Sequence, residues 1–154
     1  MQFFRAVVIS ILYFLLVSCG DRHVFINMSD KSLDKVATAH LSFPEAWGRW
    51  TDGSPVQFKF IEGLPKNFKL TIKTTGTFGP MVGKTIDVVL TGAKQQFVAT
   101  AEKQNIEMTF INVSPEMDTI ILMLPESPSP KDLGLSEDVR NLGIGIISLE
   151  IKPI

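Results

Sequence analysis

The chain is 154 residues long, 45% hydrophobic and 20% charged, with a formal net charge of −1. That length and composition suit one globular domain with its own core rather than two. The near-neutral balance, without a basic stripe, excludes an ordinary nucleic-acid binder.

The N-terminus reads as a processing segment. After Arg5 comes an apolar run of about a dozen residues from Ala6 to Val17, which suits a signal-peptide core and is short for a bilayer span. It leads into Leu16-Val17-Ser18-Cys19-Gly20, which has the form of a bacterial lipobox, with cleavage before the cysteine. Lipid attachment through a thioether requires a thiol there, and Cys19 is the single cysteine of the chain. Residues 1–18 are therefore expected to be a lipoprotein signal peptide, residues 19–36 the lipidated Cys and a polar tether, and residues 37–154 the folded domain. Asp21 stands one place later than the position that favours inner-membrane retention. Anchoring in the outer membrane, facing the periplasm, is the expectation.

The rest is a succession of short β-type runs. Val24-Phe25-Ile26 is a candidate edge strand within the tether, and residues 37–43 alternate weakly. Residues 43–53, from Phe43 and Pro44 to Gly53, read as an irregular connection that holds both tryptophans. Val56, Phe58 and Phe60 alternate with polar residues, and Phe68, Leu70 and Ile72 alternate with lysines and Thr71 in the clearest strand pattern of the chain. Residues 85–90 and 95–101 flank a tight Gly92 turn, and Ile106, Met108 and Phe110 alternate again. Residues 119–124 are nearly all apolar. Pro125-Glu126-Ser127-Pro128-Ser129-Pro130 must be a loop, because proline cannot donate to a strand ladder. Residues 131–140 are turn-rich, and residues 142–151 close the chain as a strand whose start Gly143 and Gly145 interrupt. Seven or eight strands with no convincing amphipathic helix predict an all-β, antiparallel β-sandwich of jelly-roll-like type.

Catalytic and metal-binding patterns are missing from the sequence. His23 and His40 have no second ligand at metal-binding spacing, no glycine-rich phosphate loop opens a helix, and no serine sits in a nucleophile elbow. The chain is expected not to be an enzyme and to need no metal or cofactor. The chemistry that remains lies in two loops. Trp47, Arg49, Trp50 and Asp52 precede one strand; Asp138 and Arg140 precede the last. If the two loops meet, Arg49 with Asp138, or Arg140 with Glu45 or Asp52, would lock them by charge-assisted bonds. These six residues are the candidate ligand-binding set, since an aromatic face with fixed charges suits a sugar and its substituents. The alternative is structural: the tryptophans plug the sandwich end and the arginines hold neighbouring carboxylates.

Trp-Gly-Arg-Trp-Thr at 47–51, Leu-Pro-Lys-Asn-Phe at 64–68, Gly-Lys-Thr-Ile-Asp-Val at 83–88, Gly92 with Gln96-Phe97, and the Asp-x-Arg-x-Leu-Gly-Ile-Gly pattern ending at Gly145 belong together. In that order they resemble the small C-terminal domain appended to membrane-bound phosphoglycerol transferases, enzymes that decorate periplasmic glucans. The resemblance spans residues 38–152. It implies an accessory contact with cell-envelope glycan and not the transferase activity, which belongs to a separate metal-dependent module. A structural or protein-interaction lipoprotein without a glycan ligand is the other function open to such a domain.

The anchor has a direct test. The 154-residue chain should label with palmitate and partition with membranes, and Cys19→Ser should do neither. A mature protein whose intact mass still includes residues 1–18 would contradict the lipobox.

Overall fold

The alternation at residues 68, 70 and 72 continues well past its predicted end, and the strand it makes anchors one of two sheets. In the computed structural model, which describes residues 22–154, that strand runs Phe68–Thr77 and buries every second side chain. Ten strands occur in chain order: β1 (Val24–Asn27), β2 (Val36–Ala39), β3 (Arg49–Asp52), β4 (Val56–Phe60), β5 (Phe68–Thr77), β6 (Thr85–Leu90), β7 (Ala93–Val98), β8 (Gln104–Phe110), β9 (Thr119–Met123) and β10 (Leu142–Pro153). One sheet has the order β1–β10–β5–β8 with β3 also on β10; the other is β2–β4–β9–β6–β7. All pairs are antiparallel. Apart from the β6–β7 hairpin, successive strands cross from one sheet to the other, so the chain is the β-sandwich its sequence predicts.

Between the sheets lies a core of aromatic and branched side chains. Phe58, Phe68, Phe110, Leu70, Ile72, Ile120 and Ile144 are fully buried, and the Phe68 and Phe110 rings stack 5.3 Å apart across β5 and β8. With no disulfide available among these residues, burial of this apolar surface is the main stabilising term.

Three features differ from the sequence expectation. The sandwich starts ahead of residue 37: β1 pairs with β10, and Ile26 and Met28 lie in the core. Val24, Ile26 and Met28 supply the period-two inner face, which the charged residues around them obscure in the sequence. Residues 49–52, expected to be irregular, form β3. Four residues are too few for a visible period, and the pairing comes from the waiting edge of β10. The β10 strand runs on through Gly143 and Gly145, which make room for neighbours, but its register against β3 and β5 shifts there, so the expected interruption survives as an irregularity inside the strand. β10 is the most heavily used strand, with β5 along one edge and β1 and β3 sharing the other. The Cys19 lipobox lies outside the described residues.

The place of β1 can be read from stability. Met28→Ala should cost about 2–5 kcal/mol as a buried truncation, whereas Phe25→Ala, on the exposed face of β1, should stay within about 0.5 kcal/mol. Equal, negligible effects in urea melts would return this stretch to a tether.

Candidate functional site

The Trp-Gly-Arg-Trp stretch is a tight turn laid across β10. Glu45 and Gly48 close it with two backbone bonds of 2.8 and 3.2 Å, which leaves Trp47 at its tip. Gly48 has φ +150°, and a Cβ there would stand 2.2 Å from the Ile146 carbonyl oxygen. Only glycine allows that backbone approach. Trp47 then folds onto the strand over Gly145, where a Cβ would come within 2.9 Å of the indole and 2.5 Å of Thr75. Trp50 faces Gly145 from β3 and meets Trp47 edge-on, centroids 5.4 Å apart at 76°. Both indoles are half-buried, so they neither plug the core nor stand free in solvent.

Arg49 spends its donors on backbone. Its Nε bonds the Met28 carbonyl at 3.1 Å, one terminal nitrogen bonds Ser42 O at 3.2 Å, and the other bonds Asp30 O at 2.7 Å. The guanidinium therefore ties the β1–β2 connection to the turn. Partial burial lowers its pKa, which Asp30 partly offsets, and it stays charged at any physiological pH.

Arg140 joins the two loops. Its Nε bonds both Asp138 oxygens at 3.0 Å, a terminal nitrogen reaches Asp138 Oδ2 at 2.6 Å, and the other lies 3.3 Å from Glu45 Oε1. Glu45 accepts the Trp47 indole N–H at 3.0 Å through its second oxygen, and the Arg140 guanidinium sits 4.8 Å over the Phe43 ring. The Arg140 hydrogen bond pulls the Asp138 carboxyl below the usual carboxylate range, helped by the Arg140 backbone N–H, and the same contact raises Arg140. A parallel connection runs beside it. Asp52 Oδ1 accepts the Asn141 N–H at 2.8 Å, and Asn141 O accepts the Gly53 N–H at 3.1 Å.

Where the joined loops leave the sandwich they enclose a cleft of about 740 Å³, within the roughly 300–1,000 Å³ range of small-molecule sites. Its polar lining is His40, Asp52, Ser54, Glu126, Ser127 and Asn141; Leu124, Pro125 and Pro128 supply apolar surface. Ser54 Oγ accepts the Leu124 N–H at 3.0 Å, which fixes one rim to the other.

The six sequence candidates thus fall into two groups. Trp47, Trp50, Asp138 and Arg140 form one connected cluster through Glu45, with Arg49 behind it, and their polar groups are largely paired internally. Of the six, Asp52 alone lines the cleft. Arg140 pairs with Glu45, as the meeting of the loops requires, whereas Arg49 with Asp138 does not occur. His40, Ser54, Glu126, Ser127 and Asn141 were not candidates. The only sequence signal for them is that proline-rich residues 125–130 directly follow a buried strand. Among the described residues no three His, Cys, Asp or Glu side chains converge as a metal set.

Comparison with known proteins adds the following. Residues 20–153 match a family described as a domain of unknown function (DUF7024). Phosphoglycerol transferase I of Escherichia coli O139:H28 (strain E24377A / ETEC) is 30% identical over 115 residues, covering 72% of this chain and 15% of the relative. The same figures hold for phosphoglycerol transferase I of Shigella boydii serotype 18 (strain CDC 3083-94 / BS512). The chain therefore spans a small fraction of these relatives. Among solved structures, BiXyn10A CBM1 in its apo form aligns over 87% of this chain and 98% of its own at 14% identity and TM-score 0.46. The Podospora anserina GH26-CBM35 β-(1,4)-mannanase aligns over 88% of this chain and 28% of its own at 15% identity and TM-score 0.40.

Two outcomes follow from the paired groups. Arg49→Ala should lower stability by about 2–3 kcal/mol, because carbonyls lose charge-assisted partners, and Arg49→Lys should recover less than half of it in thermal melts. A stability change below about 0.5 kcal/mol would contradict the tie. Asp138 has a folded pKa below its unfolded one, so its contribution is complete above about pH 4 and fades as pH falls further. Asp138→Asn should flatten the acid limb of the stability–pH curve below about pH 4; an unchanged limb would show the pair to be inert.

Proposed function

The chain belongs to the DUF7024 family, and from that membership and the geometry of the cleft we propose that it is a non-catalytic module of the bacterial cell envelope that binds glycan. The observation that carries this reading is the open cleft between the two locked loops. Among the described residues the side chains of Glu126 and Asn141 and the second oxygen of Asp52 make no hydrogen bond there, and proline and leucine faces lie beside them. Such a mixture suits a sugar, whose hydroxyls need hydrogen-bond partners and whose C–H faces need apolar surface. In this reading the Trp-Gly-Arg-Trp turn and Arg140 build one wall of the site, while Asp52, Glu126, Ser127 and Asn141 face the ligand.

Relatives named phosphoglycerol transferase I support an envelope setting, since similarity covers most of this chain but only 15% of theirs. The lipobox at Cys19 supports attachment by a lipid, with the domain held at the outer membrane and facing the periplasm. Among the described residues no helix is long and apolar enough to cross a membrane. A second reading, a protein-interaction lipoprotein, is favoured by the exposure of Phe43, Leu135 and Val139 at the same end of the sandwich.

A glycan array carrying glucans, peptidoglycan fragments and lipopolysaccharide cores tests the first reading. The full chain in detergent micelles should bind at least one glycan class, and Ser127→Trp, which fills the cleft, should abolish that signal while the melting temperature holds. A folded protein that binds nothing on the array would favour the second reading.

A further inference from the structure

The lining of the cleft has a charge pattern that selects among glycans. Asp52 and Glu126 bring two carboxylates to it, His40 is the only other titratable group, and no lysine or arginine is among its lining residues. Asp52 has one oxygen committed to the Asn141 N–H, and its other oxygen has no partner among the described residues. Glu126 is exposed and makes no side-chain bond among them. Arg140, next in sequence to the lining Asn141, is already held by two carboxylates, Asp138 and Glu45.

Ionised carboxylates only accept hydrogen bonds, so they suit ligand groups that donate, and hydroxyls do. An anionic substituent in the same space would meet two like charges with no cation to compensate. Resting on the glycan reading above, we infer that the cleft takes a neutral saccharide segment and discriminates against one that carries phosphoglycerol or another anionic ester. Pro125, Pro128 and Leu124 give the sugar ring an apolar floor, and the free oxygens of Asp52 and Glu126 take its hydroxyls. A domain of this kind reads undecorated glycan. Beside an enzyme that adds phosphoglycerol, such a domain would hold the acceptor rather than the product.

The probes are β-linked glucopentaoses and the same sugars esterified with phosphoglycerol at a primary hydroxyl. They are titrated calorimetrically into the full chain in detergent micelles. The neutral sugar should bind about tenfold more tightly than its ester at low salt, and the gap should narrow toward about 0.5 M salt. Glu126→Gln should weaken the neutral sugar and strengthen the ester, closing the gap by about threefold or more; its exposed, unpaired position keeps the fold intact. Equal or tighter binding of the ester, or a gap that Glu126→Gln leaves unchanged, overturns the charge selection while the glycan reading stands. Failure of folded protein to bind any of these sugars or their esters removes the selection, and a blank array removes the glycan reading as well.

Discussion

Arg140 is the residue on which the site end of this molecule depends. It stands two residues before the most heavily paired strand and reaches 95 positions back along the sequence to Glu45. One guanidinium satisfies the full carboxylate of Asp138, half of Glu45 and the face of Phe43. A planar, permanently charged fork can do this; a lysine offers only one point charge. Because Glu45 also holds the Trp47 indole, the brace extends from the last loop, through a carboxylate, to the ring lying on Gly145. The two loops are thereby tied to each other beside the cleft.

The two arginines divide the work differently. Arg49 bonds carbonyls and so organises backbone, tying β1's exit to the turn. Arg140 bonds carboxylates and so joins loops. Neither leaves an aimed donor for a ligand, since a group that has met its partners gains little by exchanging them. The unspent polar capacity lies next door, in Glu126 and in the second oxygen of Asp52, beside proline faces that need a cover. The braced loops and the cleft are therefore adjacent but chemically distinct.

The sandwich was legible because Phe68, Leu70 and Ile72, and Ile106, Met108 and Phe110, show the period of a half-buried strand, and period two has no other common cause. The meeting of the loops was legible only as a condition, because opposite charges lay in both of them without showing which strands were neighbours. Which arginine took which carboxylate was not, because that depends on the turn at Gly48 turning Arg49 away toward Met28. β3 escaped notice because four residues carry no period of their own and pair only because β10 is there. The cleft was least legible. Its lining comes from residues 40–54 and 124–143, and while Arg140 with Glu45 or Asp52 pointed to a meeting of these segments, His40, Ser54, Glu126, Ser127 and Asn141 carried no signal that they would line a space between them.

The most direct test of binding in the cleft is residue-level mapping by amide and indole chemical shifts while a neutral gluco-oligosaccharide is added to the isotopically labelled full chain. Binding in the cleft should concentrate the shifts at Gly53, Glu126, Ser127 and Asn141, with the Trp47 and Trp50 indole signals nearly still, because the tryptophans are wall and not platform. Shifts that concentrate on the two indoles and leave the cleft amides unmoved would contradict it, and would return recognition to the aromatic turn.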